Sequence, residues 1–155
     1  YKVLTRAIAY RIQAIVNDKL PVEQAGFRRG FSTIDHIQAL NQLAEKSYEH
    51  QSPLYIMFID FKKAFDSVEF EAIWKALKHY GVDQDTICIV KQLYARGSAS
   101  IKIGNSSANF NVQRGVRQGD SLSPLIFILC LQYAICQISW KKTDGINING
   151  RQLLY

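Results

Sequence analysis

The stretch that most constrains this chain is Leu54-Tyr55-Ile56-Met57-Phe58-Ile59-Asp60-Phe61-Lys62-Lys63-Ala64-Phe65-Asp66. An unbroken apolar run, rich in aromatic and β-branched residues, reads as a strand buried on both faces. The run delivers a carboxylate, Asp60, where the burial ends. A carboxylate there is costly unless it meets a proton donor, a cation or a metal. Two readings stand at this point: Asp60 as a metal ligand on a rigid element, or a surface acid just past a core strand.

At 155 residues, with 48% hydrophobic and 21% charged content, the chain can form one domain with a real core. Its formal charge of +6 favours polyanionic partners without specifying one. No basic tail accounts for the excess, so the charge is spread over the fold. Cys88, Cys130 and Cys136 show no Cys-x-x-Cys spacing; they fall in apolar helical patterns and are expected as buried thiols, and zinc is not expected. The longest apolar run, Leu125 to Leu131, is far short of the ~18–20 residues of a membrane span. Both ends look cut, so the chain is expected to be a fragment of a longer protein.

Taken in order, Val3, Leu4, Ala7, Ile8, Ile12, Ile15 and Val16 recur at helical spacing over residues 1–17. Pro21 stops that helix. In Gln24–Ile37, two glycines bracket Phe27, Arg28 and Arg29, which suits phosphate binding and base or sugar contact but is equally an ordinary loop. Ser32 is placed to cap a helix whose buried stripe is Ile34, Ile37, Leu40, Leu43, Ala44 and Tyr48. Beyond the central strand, Asp66 is expected to cap the next helix, with Glu69 at its third position. Gly81 is placed to end that helix, and another follows from Asp83 to Gly97. Ser98–Ile103 and Phe110–Gln113 form a hairpin signature. Arg114–Asp120 is a turn of glycines, arginines, Gln118 and an acid, leading into a helix from about Ser121 to about Trp140; a glycine- and arginine-flanked helix start is a ready anion site. Asn149-Gly150 reads as a second hairpin turn.

Gln24–Ile37, Leu54–Asp66 and Arg114–Phe127, in that order, resemble the reverse transcriptase family, specifically non-LTR (LINE-type) retrotransposon polymerases. Phe58–Asp66 resembles that family's motif A, and Gly115–Leu125 its motif B. The resemblance implies an α+β fold, a palm with partial fingers in which helices pack on a small antiparallel sheet, with fingers over about 1–52 and palm over about 53–155. It implies an RNA-directed DNA polymerase that adds dNTPs to a DNA primer on an RNA template, using two Mg²⁺ ions, with Mn²⁺ as a substitute. Asp60 and the Phe61 carbonyl would be metal ligands, and Phe65 a steric gate beside Ala64 that excludes ribonucleotides. Gln118, Gly119 and Arg28 would face the nucleotide; Arg29, Arg114 and Arg117 would contact nucleic acid. The family's third motif, a Tyr or Phe followed by a spacer and two Asp, is met only as its approach, Leu153-Leu154-Tyr155. The chain alone is therefore expected to be inactive. The alternatives are a non-catalytic nucleic-acid-binding relic, or a group II intron or retron-type enzyme. Nuclear action follows from the retrotransposon analogy alone.

Overall fold

The computed structural model describes residues 1–95, 97–141, 145–148 and 151–153. The elements run α1 (Lys2–Val16), α2 (Thr33–Glu49), α3 (Ala64–Ser67), α4 (Phe70–His79), α5 (Gln84–Ala95), β1 (Ser98–Ile103), β2 (Ser106–Asn111), α6 (Ser123–Cys136), β3 (Ile146–Ile148) and β4 (Arg151–Leu153).

The core is helical. Ile8, Ile12 and Val16 of α1, Ile73, Ala76 and Leu77 of α4, Ile87, Val90 and Tyr94 of α5, and Ile126, Ile128 and Leu129 of α6 share one buried cluster. α4 packs against α5 and α6. At about 25 cal/mol per Å² of buried apolar surface, side chains such as Ile12, Ile73, Leu77 and Leu129, each 0% exposed, are what hold these helices together. Local chemistry sets their ends. Gly81, at φ 76°, ends α4, with its amide on Lys78 O and the Val82 amide on Leu77 O, each at 3.0 Å, the paired bonds of a glycine-terminated helix end. Asp83 caps α5, accepting from the Thr86 amide at 2.9 Å and the Thr86 hydroxyl at 2.8 Å; these bonds hold its carboxyl below the usual carboxylate range.

The two sheets are separate antiparallel hairpins. β1 pairs with β2, Ser98 opposite Asn111 through Ile103 opposite Ser106. β3 pairs with β4, Ile146 opposite Leu153. The fold is thus a mixed helix and small-sheet architecture, but helix on helix forms its core rather than helices laid on one sheet. The Asn149-Gly150 turn lies outside the described residues, between two strands that do pair.

Four expectations are corrected. Residues 54–59 form no strand and are largely exposed, with Tyr55 at 92% and Phe58 at 81%. A strand needs a neighbour to pair with, and β1 and β2, like β3 and β4, satisfy only each other. α2 forms with the expected cap, the Ser32 hydroxyl accepting from the Ile34 amide at 3.1 Å, yet none of its residues is buried; periodicity gives a helix a face but not a surface to put it on. Asp66 lies within the one-turn α3, and Glu69 takes the N-cap position of α4 without a side-chain cap bond. Cys88 and Cys136 are exposed, and only Cys130 is half-buried, because those two fall on the outer faces of α5 and α6.

Candidate active site

The three stretches singled out in the sequence converge on Phe65. Its ring stacks on Phe127 of α6, centroids 4.7 Å apart and planes 17° apart, and meets the edge of Phe27 from the 24–31 loop at 5.8 Å. Such aromatic pairs add about 0.5–1.5 kcal/mol each beyond the area they bury. The backbone repeats the connection. The Val116 amide donates to Phe65 O at 2.9 Å and the Gly115 amide to Val68 O at 2.7 Å, and Glu69 bridges Arg114 in antiparallel fashion. Gly115 adopts φ 94°, and a Cβ there would stand 3.1 Å from both Cα and O of Asp66. Glycine is required twice over, for the conformation and for the close approach.

The turn that follows is held at both ends. Arg117 donates from Nη1 to Tyr1 Oη at 2.9 Å and from Nη2 to Leu93 O at 2.7 Å. Ser123 Oγ donates to Arg117 O at 2.6 Å. Asp120, 7% exposed, accepts from Tyr1 Oη at 3.0 Å and weakly from the Leu122 amide at 3.4 Å. Burial and Asp120 raise the Tyr1 phenol above its ordinary range. Burial pushes the Tyr94 phenol, beside Arg117, up to about 12, and does the same to the Cys130 thiol of α6, in the groove with Phe127. Between these anchors Gln118 and Gly119 form an exposed tip, with Gly119 at φ 80° and open space around it.

Not every nominated residue joins this centre. Asp60 and Phe61 lie on the exposed run ahead of it. Ala64 and Phe61 line an apolar groove of about 380 Å³ against Phe127 and Cys130. Arg28 is engaged locally: Nη1 bonds Pro21 O at 2.7 Å, Nη2 bonds Asn17 O at 2.5 Å, and the guanidinium lies 3.9 Å over Phe31. It ties the loop to the end of α1. Arg29 is exposed beside Tyr10 and Gln13 of α1. Sequence reasoning passed over Tyr1, Phe127 and Asp120. Asp120 had a legible signal, an acid just ahead of a helix start containing Pro124; the contacts of Tyr1 and Phe127 had none, since both are long-range.

Among the described residues no three His, Cys, Asp or Glu side chains stand together as a metal site. The oxygens of Asp60 and of the Phe61 carbonyl are the hard donors Mg²⁺ prefers, but as a solitary exposed carboxylate with one carbonyl they do not by themselves make a two-ion site.

Residues 1–150 match the family model described as reverse transcriptase (RNA-dependent DNA polymerase). The chain is 29% identical over 147 residues, 94% of its length, to a retrovirus-related Pol polyprotein from type-1 retrotransposable element R2 of Popillia japonica. It is 32% identical over 129 residues, 83% of its length, to the corresponding polyprotein of type-2 element R2DM of Drosophila melanogaster. It is 29% identical over 152 residues, 92% of its length, to a probable RNA-directed DNA polymerase from transposon BS of the same fly. The chain spans 20%, 12% and 16% of these relatives, respectively.

Proposed function

The chain belongs to the reverse transcriptase (RNA-dependent DNA polymerase) family, and we propose from that premise that it is the central part of a non-LTR retrotransposon polymerase that copies RNA into DNA by extending a primer 3′-hydroxyl. In this reading residues of about 1–52 belong to the fingers and about 53–155 to the palm. The observation that carries the reading is the convergence of Phe27, Phe65 and Phe127 with the Gly115–Val116 amides, since it joins all three motif-bearing stretches at one place.

The residues divide the work by their surroundings. Phe65, braced between two rings, cannot swing aside, so its edge is a fixed obstacle to a 2′-hydroxyl. Ala64 beside it leaves room for the sugar. Gln118 and Gly119, at the exposed tip, line the incoming nucleotide, with the glycine allowing close backbone approach. Arg29 and Arg114 serve the nucleic acid, Arg117 holds the wall beside them through Tyr1 and Leu93, and Arg28 shapes the nucleotide-side loop. Asp60 and the Phe61 carbonyl would be among the groups that hold Mg²⁺, or Mn²⁺ in its place; such an ion, when bound, would supply charge neutralisation at the transferring phosphate. One carboxylate with one carbonyl is too few for two ions, so in this reading the 155-residue chain by itself does not polymerise.

The gate is tested in the full-length polymerase. Phe65→Ala is expected to raise ribonucleotide incorporation relative to deoxyribonucleotide by at least tenfold, about 1.4 kcal/mol of lost discrimination. Unchanged discrimination with intact overall synthesis removes Phe65 from this role.

A further inference from the structure

Arg117 and Asp120 are the first and fourth residues of a tight turn. The Asp120 amide closes it on Arg117 O at 3.3 Å, and Gly119 stands third at φ 80°, a place that calls for glycine. Gln118 and Gly119 form the exposed tip. The side chains of the turn's two ends meet on a single atom outside it. Tyr1 Oη accepts from Arg117 Nη1 at 2.9 Å and donates to Asp120 Oδ2 at 3.0 Å. Among the described residues the guanidinium and the carboxylate form no direct ion pair, so the phenol oxygen is their link.

We propose that Tyr1 is a positioning residue for nucleotide binding: its hydroxyl, by joining Arg117 to Asp120 across the base of the turn, sets the aim of Gln118 and Gly119 at the incoming deoxynucleotide. The proposal rests on the polymerase reading above, which places those two residues against the nucleotide. It adds Tyr1 and Asp120, which that reading does not use.

The two ends of the turn depend on this hydroxyl unequally. Arg117 has other supports. Its Nη2 donates to Leu93 O at 2.7 Å and its carbonyl accepts from Ser123 Oγ at 2.6 Å. Its guanidinium also lies over the rings of Tyr1 and Tyr94, at 5.3 and 5.9 Å, a range at which an aromatic face attracts a cation. Asp120 has little else. It is 7% exposed, and beyond Tyr1 its carboxylate is met, among the described residues, by the Leu122 amide at 3.4 Å. A buried carboxylate stripped of its donor bears an uncompensated desolvation cost. It relieves that cost by turning toward water, and Gly119 moves with it. Losing the hydroxyl thus frees one end of the turn while the other stays held, so the tip shifts without unfolding.

The hydroxyl itself comes from a fixed place. Tyr1 is the N-cap residue of α1, whose Ile8, Ile12 and Val16 are anchored in the core; a group carried by a packed helix holds its aim better than one on a loop. Tyr1 is 57% exposed, so removing its oxygen leaves the core intact.

The test is single-nucleotide primer extension on an RNA template by the full-length polymerase, with KM for the deoxynucleoside triphosphate and kcat measured separately. Tyr1→Phe keeps the ring and removes the hydroxyl alone. KM is expected to rise about tenfold while kcat stays within about twofold, the signature of a lost ground-state contact. A merely structural role would lower the active fraction, and so kcat, and leave KM where it was. Asp120→Ala is expected to raise KM comparably, and the double variant no further than the larger single effect, as for groups joined by one bond. Tyr48→Phe, which removes an exposed hydroxyl on α2, is expected to leave both constants unchanged. Unchanged KM in Tyr1→Phe, a fall in kcat alone, additive effects in the double variant, or an equal rise in Tyr48→Phe overturns the positioning role. Gln118→Ala separates this from the underlying reading. A raised KM in that variant with none in Tyr1→Phe sinks the positioning role alone. Unchanged KM in Gln118→Ala, or no DNA synthesis by the wild type, sinks the nucleotide-side reading of the tip and the positioning role with it.

Discussion

Substituting Gly115 by alanine tests the junction between the two central motifs. At φ 94° an L-residue is strained, by about 1–2 kcal/mol. The new Cβ also lies 3.1 Å from the Asp66 Cα and carbonyl oxygen, and both are backbone atoms that no side-chain rotation can move. Relief requires residues 65–68 to part from 115–116, which loosens the bonds to Val68 O and Phe65 O, each worth about 1 kcal/mol net. Together these predict a loss of about 3 kcal/mol, a large part of the 5–15 kcal/mol that typically separates folded from unfolded chains. The control is Gly104→Ala. Gly104 lies in the β1–β2 turn at φ 59° with nothing within 4 Å of its Cβ position, so only the strain of about 1–2 kcal/mol applies. In urea unfolding, with a slope of about 2 kcal/mol per M, Gly115→Ala moves the midpoint down by about 1.5 M and Gly104→Ala by less than 1 M. Equal shifts in the two variants would refute the close-approach argument.

Stability is also expected to fall at alkaline pH. The Tyr94 phenol, ordinarily near 10, and the Cys130 thiol, ordinarily near 9, are both pushed by burial to about 12 in the folded chain. The unfolded chain therefore releases protons first, and stability present below pH 9 declines as pH rises toward 12, by up to about 1.4 kcal/mol per pH unit for each group. Melting temperatures between pH 8 and 11 check this: Tyr94→Phe should flatten the decline, and a wild-type profile without a decline contradicts the burial assignment. The exposed run at Tyr55–Ile59 is expected to drive self-association of the isolated chain. Met57, 82% exposed, can be changed to Lys without disturbing any buried neighbour, and light scattering should then show more monomer; an unchanged distribution would mean that this run is not the sticky surface.

Legibility followed the range of the interactions involved. α1, α4, α5 and α6 were readable because their apolar residues, Pro21, the helix-opening Asp83 and the terminating Gly81 are local signals within a few turns of chain. The family was readable because the order of the three stretches along the chain is itself the signal. The run at 54–59 was misread because its pattern records the burial such a segment is suited to, while strand formation depends on a second strand that the pattern cannot name. The same gap explains α2, whose cap and period were right and whose packing face is unmet. Arg28 and Arg117 looked like free phosphate ligands because sequence shows a guanidinium but not the carbonyls it reaches, here those of Pro21, Asn17 and Leu93. Asp120 was visible as an acid in a turn, but its bond to Tyr1, at the far end of the chain, was not.

In the proposed function this chain carries the motif A and motif B part of an RNA-directed DNA polymerase, with Asp60 at the reacting centre. The most direct measurement is primer extension on an RNA template by the full-length protein in the presence of Mg²⁺, comparing wild type with Asp60→Ala and measuring template binding alongside. Robust DNA synthesis by the wild type, falling to background in the variant while template affinity stays within a few-fold, is the predicted result. Synthesis by Asp60→Ala near the wild-type rate would remove Asp60 from the reacting centre.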